Sequence, residues 1–87
     1  TKAFLCATGV TVESGMSNTT FLEAEIKRGV VSHASSVILV ADSSKLGHDA
    51  TVTFCRLQDI STFVTDQKPA PKFVEFCRAH NIRLVWE

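Results

Sequence analysis

The sequence predicts an α/β domain: an open, mostly parallel sheet with flanking helices. Three observations carry this. Short apolar strands alternate with two helical segments. The run Val37-Ile38-Leu39-Val40-Ala41 is unbroken, as in a central parallel strand covered on both faces, and Asp42 follows it directly. Thr20-Phe21-Leu22-Glu23 has the form of a capping box that starts a helix.

Residues 3–7 (Ala-Phe-Leu-Cys-Ala) read as a first strand buried on both faces, ended by Thr8-Gly9. Residues 11–19 read as a polar loop with Gly15 as its turn residue. The helix then runs from Thr20 to about Ala34. Leu22, Ile26, Val30 and His33 share one stripe, with Gly29 between them, and Glu25, Lys27 and Arg28 lie off its centre. His33 reads as a last-turn residue favoured by the helix dipole, not as a metal ligand. After the 37–41 strand come an alternating strand over 51–55 and a short strand over 62–65 ended by Asp66. Pro69 and Pro71 suit the first turn of a second helix. That helix runs to about His80 with Phe73, Val74 and Cys77 inward, and Asn81 takes the left-handed position after it. Residues 82–86 form a last strand with Ile82, Leu84 and Trp86 on one face. The order is β–α–β–β–β–α–β.

Composition bounds the function. The chain has 87 residues, enough for one domain, which buries roughly 60–65 % of its extended surface. Hydrophobic residues are 45 % and charged residues 21 %, with mean hydropathy +0.14, which excludes a disordered chain or a collagen-like repeat. The longest apolar run is far short of the about 20 residues that span a bilayer, so no membrane partner is expected. Nine Lys+Arg balance nine Asp+Glu without clustering, unlike a DNA-binding module, which carries a basic excess on one face. Cys6, Cys55 and Cys77 are odd in number and form no CxxC pair. They read as buried free thiols of a cytoplasmic protein, with no metal site and no nucleophile. No leader is visible, and a strand interior at the very start suggests a piece cut on its N-terminal side from a longer chain.

Ligands of open parallel sheets bind beyond the carboxyl ends of the strands. Three polar segments fall there: Thr8-Gly9, Asp42-Ser43-Ser44-Lys45-Leu46-Gly47 and Thr65-Asp66. Ser17-Asn18-Thr19-Thr20 adds a helix N-terminus, which attracts anions. The Asp42 turn suits a phosphate joined to a polyol. Lys45 supplies positive charge, Ser43 or Ser44 donates hydrogen bonds, and Asp42 accepts from sugar hydroxyls. The same spacing also fits a plain turn in which Asp42 caps backbone amides and Lys45 is solvated. Likewise 17–20 also fits a plain helix cap. Arg78, Arg83, Lys68 and Lys72 read as surface charges.

Ala7-Thr8-Gly9-Val10, Ser17-Asn18, Glu23-Ala24-Glu25-Ile26-Lys27-Arg28, Ala41-Asp42-Ser43-Ser44-Lys45 and Val64-Thr65-Asp66 occur in this order at familiar gaps. Together they resemble the C-terminal part of the DeoR family of bacterial regulators of sugar metabolism, over essentially the whole chain. The resemblance implies a sensor domain with the fold of ribose-5-phosphate isomerase, the glucosamine-6-phosphate deaminases and CoA transferases. It implies a phosphorylated sugar effector that modulates operator affinity, usually relieving repression. Operator DNA would be bound through an N-terminal helix-turn-helix that has no counterpart here. The resemblance also implies a homo-oligomer and no cofactor. Asp42 and Lys45 match the family's effector-response positions, with Ser43 and Ser44 between them. Thr8, Gly9, Ser17 and Asn18 match loops that line the pocket. Two departures stand out: Cys6 where Gly is frequent, narrowing that strand end, and Arg56 where Pro is common.

The alternative is a sugar-phosphate isomerase-like enzyme of the same fold. Such chemistry needs a base and groups that stabilise an enediolate. By resemblance, Leu5 and Thr8 stand where the isomerase has carboxylates, and its catalytic Lys is replaced around 17–20. Glu25 falls near its base, and Lys45 matches its phosphate-side Lys. Binding without turnover is the reading this favours. A third possibility, an oligomerisation module, would show an exposed apolar stripe to which Phe54, Phe63, Phe73, Phe76 and Trp86 contribute.

Overall fold

A computed structural model describes residues 1–86. Four parallel strands make the main sheet: β1 (Lys2–Leu5), β4 (Ser36–Val40), β6 (Thr62–Thr65) and β7 (Arg83–Trp86), in the order β1-β4-β6-β7. Three antiparallel strands make a second sheet: β2 (Gly9–Thr11), β3 (Gly15–Asn18) and β5 (Val52–Cys55), in the order β2-β3-β5. Two helices, α1 (Phe21–His33) and α2 (Pro71–Ala79), complete the fold. The mostly parallel α/β class holds.

The second sheet corrects the loop expected over 11–19. That segment is a hairpin, and all four residues of β3 are buried. Its polar side chains are tolerated inside because each finds a partner. Thr11 Oγ1 donates to Asp49 Oδ1 at 2.9 Å, and Ser17 Oγ accepts from the Ala50 N–H at 2.8 Å. Gly15 is the turn residue, as its position suggested. It sits at φ +96°, and a Cβ there would lie 2.1 Å from the Cys55 carbonyl oxygen.

The register of the main sheet aligns Ala3 with Val37, Leu39 with Phe63, and Phe63 with Leu84. This row faces inward, where Val37, Leu39 and Phe63 are buried with Met16, Ala24, Phe73 and Cys77 in one core. The Phe63 and Phe73 rings lie 6.4 Å apart, so α2 packs on this same face. The alternate row faces outward: Phe4 is 70 % exposed, Val40 45 %, and Val85 is exposed as well. The unbroken apolar runs of β1 and β4 predict strands covered on both faces. Within this chain each is covered on one, because both helices and the second sheet lie on the inner side.

Helix α1 begins where the capping box predicts. The Glu23 N–H donates to Thr20 Oγ1 at 3.2 Å, and the Thr20 hydroxyl donates to Glu23 Oε1 at 3.0 Å. Its orientation is the reverse of the expected one. Ala24 is the buried residue, Lys27 and Val31 flank it half-buried, and the stripe of Leu22 (70 % exposed), Ile26 and Val30 faces out. The small Ala24 lets α1 lie close on the second sheet. Lys27 donates to the Cys6 carbonyl at 2.6 Å and Arg28 to the Thr53 carbonyl at 2.7 Å, which holds the polar side of α1 inward. His33 is exposed, with Nδ1 2.9 Å from the Gly29 carbonyl.

Helix α2 starts on Pro71 and buries Phe73 and Cys77, and Asn81 has φ 58°, as the sequence suggests. Cys55 and Cys77 are buried, whereas Cys6 is exposed, because β1 ends before it and the chain turns outward to the hairpin. Burial pushes the Cys55 thiol up to about 11. The five aromatics do not form one exposed stripe: Phe54, Phe63 and Phe73 are core residues, Phe76 stacks on His80 with ring centres 4.2 Å apart, and Trp86 alone of the five is exposed.

Candidate effector site at the carboxyl edge of the sheet

Strands β4 and β6 are parallel neighbours with Val40 opposite Val64, so both deliver their next residues to the same edge. The ladder extends one step further, through the Ala41 N–H to the Val64 carbonyl at 3.1 Å. Asp42 and Asp66 follow. A crevice of about 240 Å³ opens between them, lined by Val40, Ala41, Asp42, Val64, Thr65 and Asp66. This is the place where open parallel sheets bind ligands.

Ser43–Lys45 form one turn of 3-10 helix with Asp42 as its N-cap. Asp42 Oδ1 accepts from the Ser44 N–H at 3.0 Å and also from the Ser44 hydroxyl. Asp66 Oδ1 accepts from the Ser43 N–H at 2.7 Å, and Oδ2 from the Ser43 hydroxyl at 3.4 Å. The two carboxylates therefore use both serine hydroxyl protons and the first two amides of the turn. The Ser44 hydroxyl above all, then its N–H and the Lys45 charge, hold the Asp42 carboxyl below the usual carboxylate range. The half-buried Lys45 has its N–H on the Asp42 carbonyl at 3.1 Å; its ammonium has no hydrogen bond or ion pair among the described residues and does not line the crevice. It is the positive charge of this turn left open to a ligand.

Beyond Lys45 the chain is pinned to the second sheet. Leu46 bridges Val10, and the Gly47 N–H, at φ +86°, donates to the Val10 carbonyl at 2.8 Å. Gly9 and Ser17 seat the stretch from His48 to Ala50. A Cβ on Gly9 would lie 2.3 Å from the His48 carbonyl oxygen, and Ser17 Oγ, fully buried, also donates to the Gly9 carbonyl at 3.3 Å. Two of the residues predicted as pocket-lining thus support the segment that carries the turn. The other two meet each other: Asn18 Nδ2 donates to Thr8 Oγ1 at 3.1 Å. Asn18 is 5 % exposed, and its Oδ1 is buried without a partner among the described residues, an open acceptor at the foot of α1.

The contacts of two polar groups near these strand ends escape the sequence reading. Asp66 was visible as a strand-end residue, but nothing in its spacing says that it reaches Ser43. Lys27 at the end of β1 reads from sequence only as a helix-surface charge. Among the described residues no three His, Cys, Asp or Glu side chains are grouped to hold a metal ion, and no helix is long and apolar enough to cross a membrane.

Parallel strands, a polar turn at their carboxyl ends and a cation without a partner among the described residues define an α/β domain with a candidate ligand site at its sheet edge. The family follows from its relatives. The model of the DeoR C terminal sensor domain matches residues 1–67, so the chain belongs to that family. It is similar to the HTH-type transcriptional regulator IolR of Bacillus subtilis, 36 % identical over 81 residues, which is 93 % of this chain and 32 % of that protein. It is also similar to the HTH-type transcriptional regulator GlpR of Haloferax volcanii, 43 % identical over 63 residues, 72 % of this chain and 25 % of that protein. The chain thus spans about a third or less of the length of these relatives.

Proposed function

We propose that this chain is the effector-binding part of a DeoR-type transcription regulator, in which a phosphorylated sugar modulates operator affinity, usually as a repressor. The observation that carries the reading is the Asp42–Lys45 turn at the shared edge of β4 and β6. In this reading Lys45 contacts the phosphate. The outward lone pairs of Asp42 accept sugar hydroxyls, and Ser43 and Ser44 offer oxygens whose protons are engaged by Asp66 and Asp42. Thr8, Gly9, Ser17 and Asn18 also line the pocket in this reading. Operator DNA is held by an N-terminal helix-turn-helix outside this chain, consistent with the HTH names of the relatives and with a net charge of +0 here. A cytoplasmic homo-oligomer completes the proposal.

Lys45→Ala in the intact regulator weakens sugar-phosphate binding about 10- to 100-fold, since a hydrogen bond to a charged group contributes roughly 1.5–3 kcal/mol. Calorimetric titration reads this directly, and unchanged affinity overturns the site. The enzyme reading is the competitor. Glu25, placed by resemblance near an isomerase base, is paired with Arg28 on the half-exposed side of α1, and β1 carries no second carboxylate. Formation of ribulose 5-phosphate from ribose 5-phosphate by the intact protein would decide for the enzyme.

A further inference from the structure

A 3-10 turn of three residues has little stability of its own. The direction in which Lys45 points therefore depends on what grips the turn from outside. Asp42 grips it from within, through Ser44. Gly47 ties its far side to β2. Asp66 reaches it from β6, the neighbour of β4 in the main sheet, at the amide where the turn begins. That bond joins a carboxylate to a backbone N–H at 2.7 Å, the short and strong kind. Asp66 is itself fixed. It follows the buried Thr65, whose hydroxyl donates to Asp66 Oδ1 at 3.3 Å, and β6 is paired with β4 up to Val64.

We propose that Asp66 is a positioning residue for the effector site: it clamps the Ser43 amide so that the Lys45 ammonium is presented at the carboxyl end of β4. This rests on the sensor reading above. Asp66 acts through the turn and not on the ligand. Its oxygens are occupied by Ser43 and Thr65, and a second carboxylate against a phosphate would oppose binding. The clamp also gives the site a mechanical link. The tilt of β6 against β4 sets the Ser43 amide, so a shift between the two strands moves Lys45.

The test uses the intact regulator with ribose 5-phosphate, hexose 6-phosphates and inorganic phosphate as probes. Asp66→Ala raises the dissociation constant of the best probe about tenfold. Asp66→Asn keeps an oxygen for the Ser43 N–H and a donor for the Ser43 hydroxyl, so it stays within about threefold of the parent. In the Lys45→Ala background, Asp66→Ala adds no further loss. Should Asp66→Ala fold poorly, Ser43→Pro removes the same hydrogen bond from the other end. The extended Asp42 (ψ 167°) accepts a following proline, and the same loss of affinity is expected. Parent-like affinity in Asp66→Ala or in Ser43→Pro, an Asp66→Asn as weak as Asp66→Ala, or a fully additive double variant would each overturn the clamp while leaving the sensor reading intact. A parent protein that binds none of the probes removes the sensor reading and the clamp with it.

Discussion

At the scale of single residues, the site is built by carboxylates that accept rather than by cations that attract. Asp42 illustrates the consequence. Its carboxylate is stabilised in the folded chain by the Ser44 hydroxyl and N–H, which lowers its pKa from the ordinary 3.8. A carboxyl with a depressed folded pKa stabilises the fold above its unfolded pKa, and that contribution disappears as pH falls through the folded value. Asp42→Asn therefore lowers the thermal midpoint by a constant amount between about pH 5 and pH 7, and the gap narrows below about pH 4. A gap that widens on acidification contradicts the arrangement of the turn. Glu13 is lowered in the same direction by its bond to Lys72 at 3.0 Å, so acid weakens two surface ties together.

At the scale of elements, α1 shows how a helix with a correct start takes an unexpected face. Thr20 fixes where the helix begins, and Thr20→Ala costs about 1 kcal/mol, measured as a shift of the urea midpoint at unchanged slope. A cost near zero means that packing of Ala24 alone places the first turn. The helix then lies on β5 and β3 through its smallest side chain, with Lys27 and Arg28 hydrogen-bonded to carbonyls at its edges. Two charged residues lie beside the packed side because backbone oxygens at Cys6 and Thr53 receive them. The hairpin works the same way. Thr11, Ser17 and Asn18 go inside because Asp49, Ala50 and Thr8 are there to meet them.

At the scale of the molecule, the main sheet is covered on one face only. A parallel sheet is ordinarily covered on both. Phe4, Val40 and Val85 lie on the bare side, and a groove of about 460 Å³ runs between β1 and the end of α1 past Phe4, Val30 and His33. The prediction is a sticky surface. The 87-residue chain binds a hydrophobic dye such as ANS while folded, and Phe4→Ser with Val40→Thr reduces the fluorescence without lowering helix content. Dye binding that is absent from the parent shows that the face is covered after all.

Much of this was legible in the sequence because it is local. The cap at Thr20, the proline start of α2, the left-handed Asn81 and the Asp after an apolar strand each depend on neighbours a few residues away. The family resemblance rests on such local signatures in order. The second sheet, the outward stripe of α1, the exposure of Cys6 and the reach of Asp66 to Ser43 were decided by tertiary structure. Each depends on a partner distant in the chain: Ser17 on Ala50, Lys27 on Cys6, Ser43 on Asp66. Hydropathy periodicity records that one face is apolar. It does not record which face meets the protein, because that is settled by hydrogen-bond partners and packing volumes that exist only after the strands have come together.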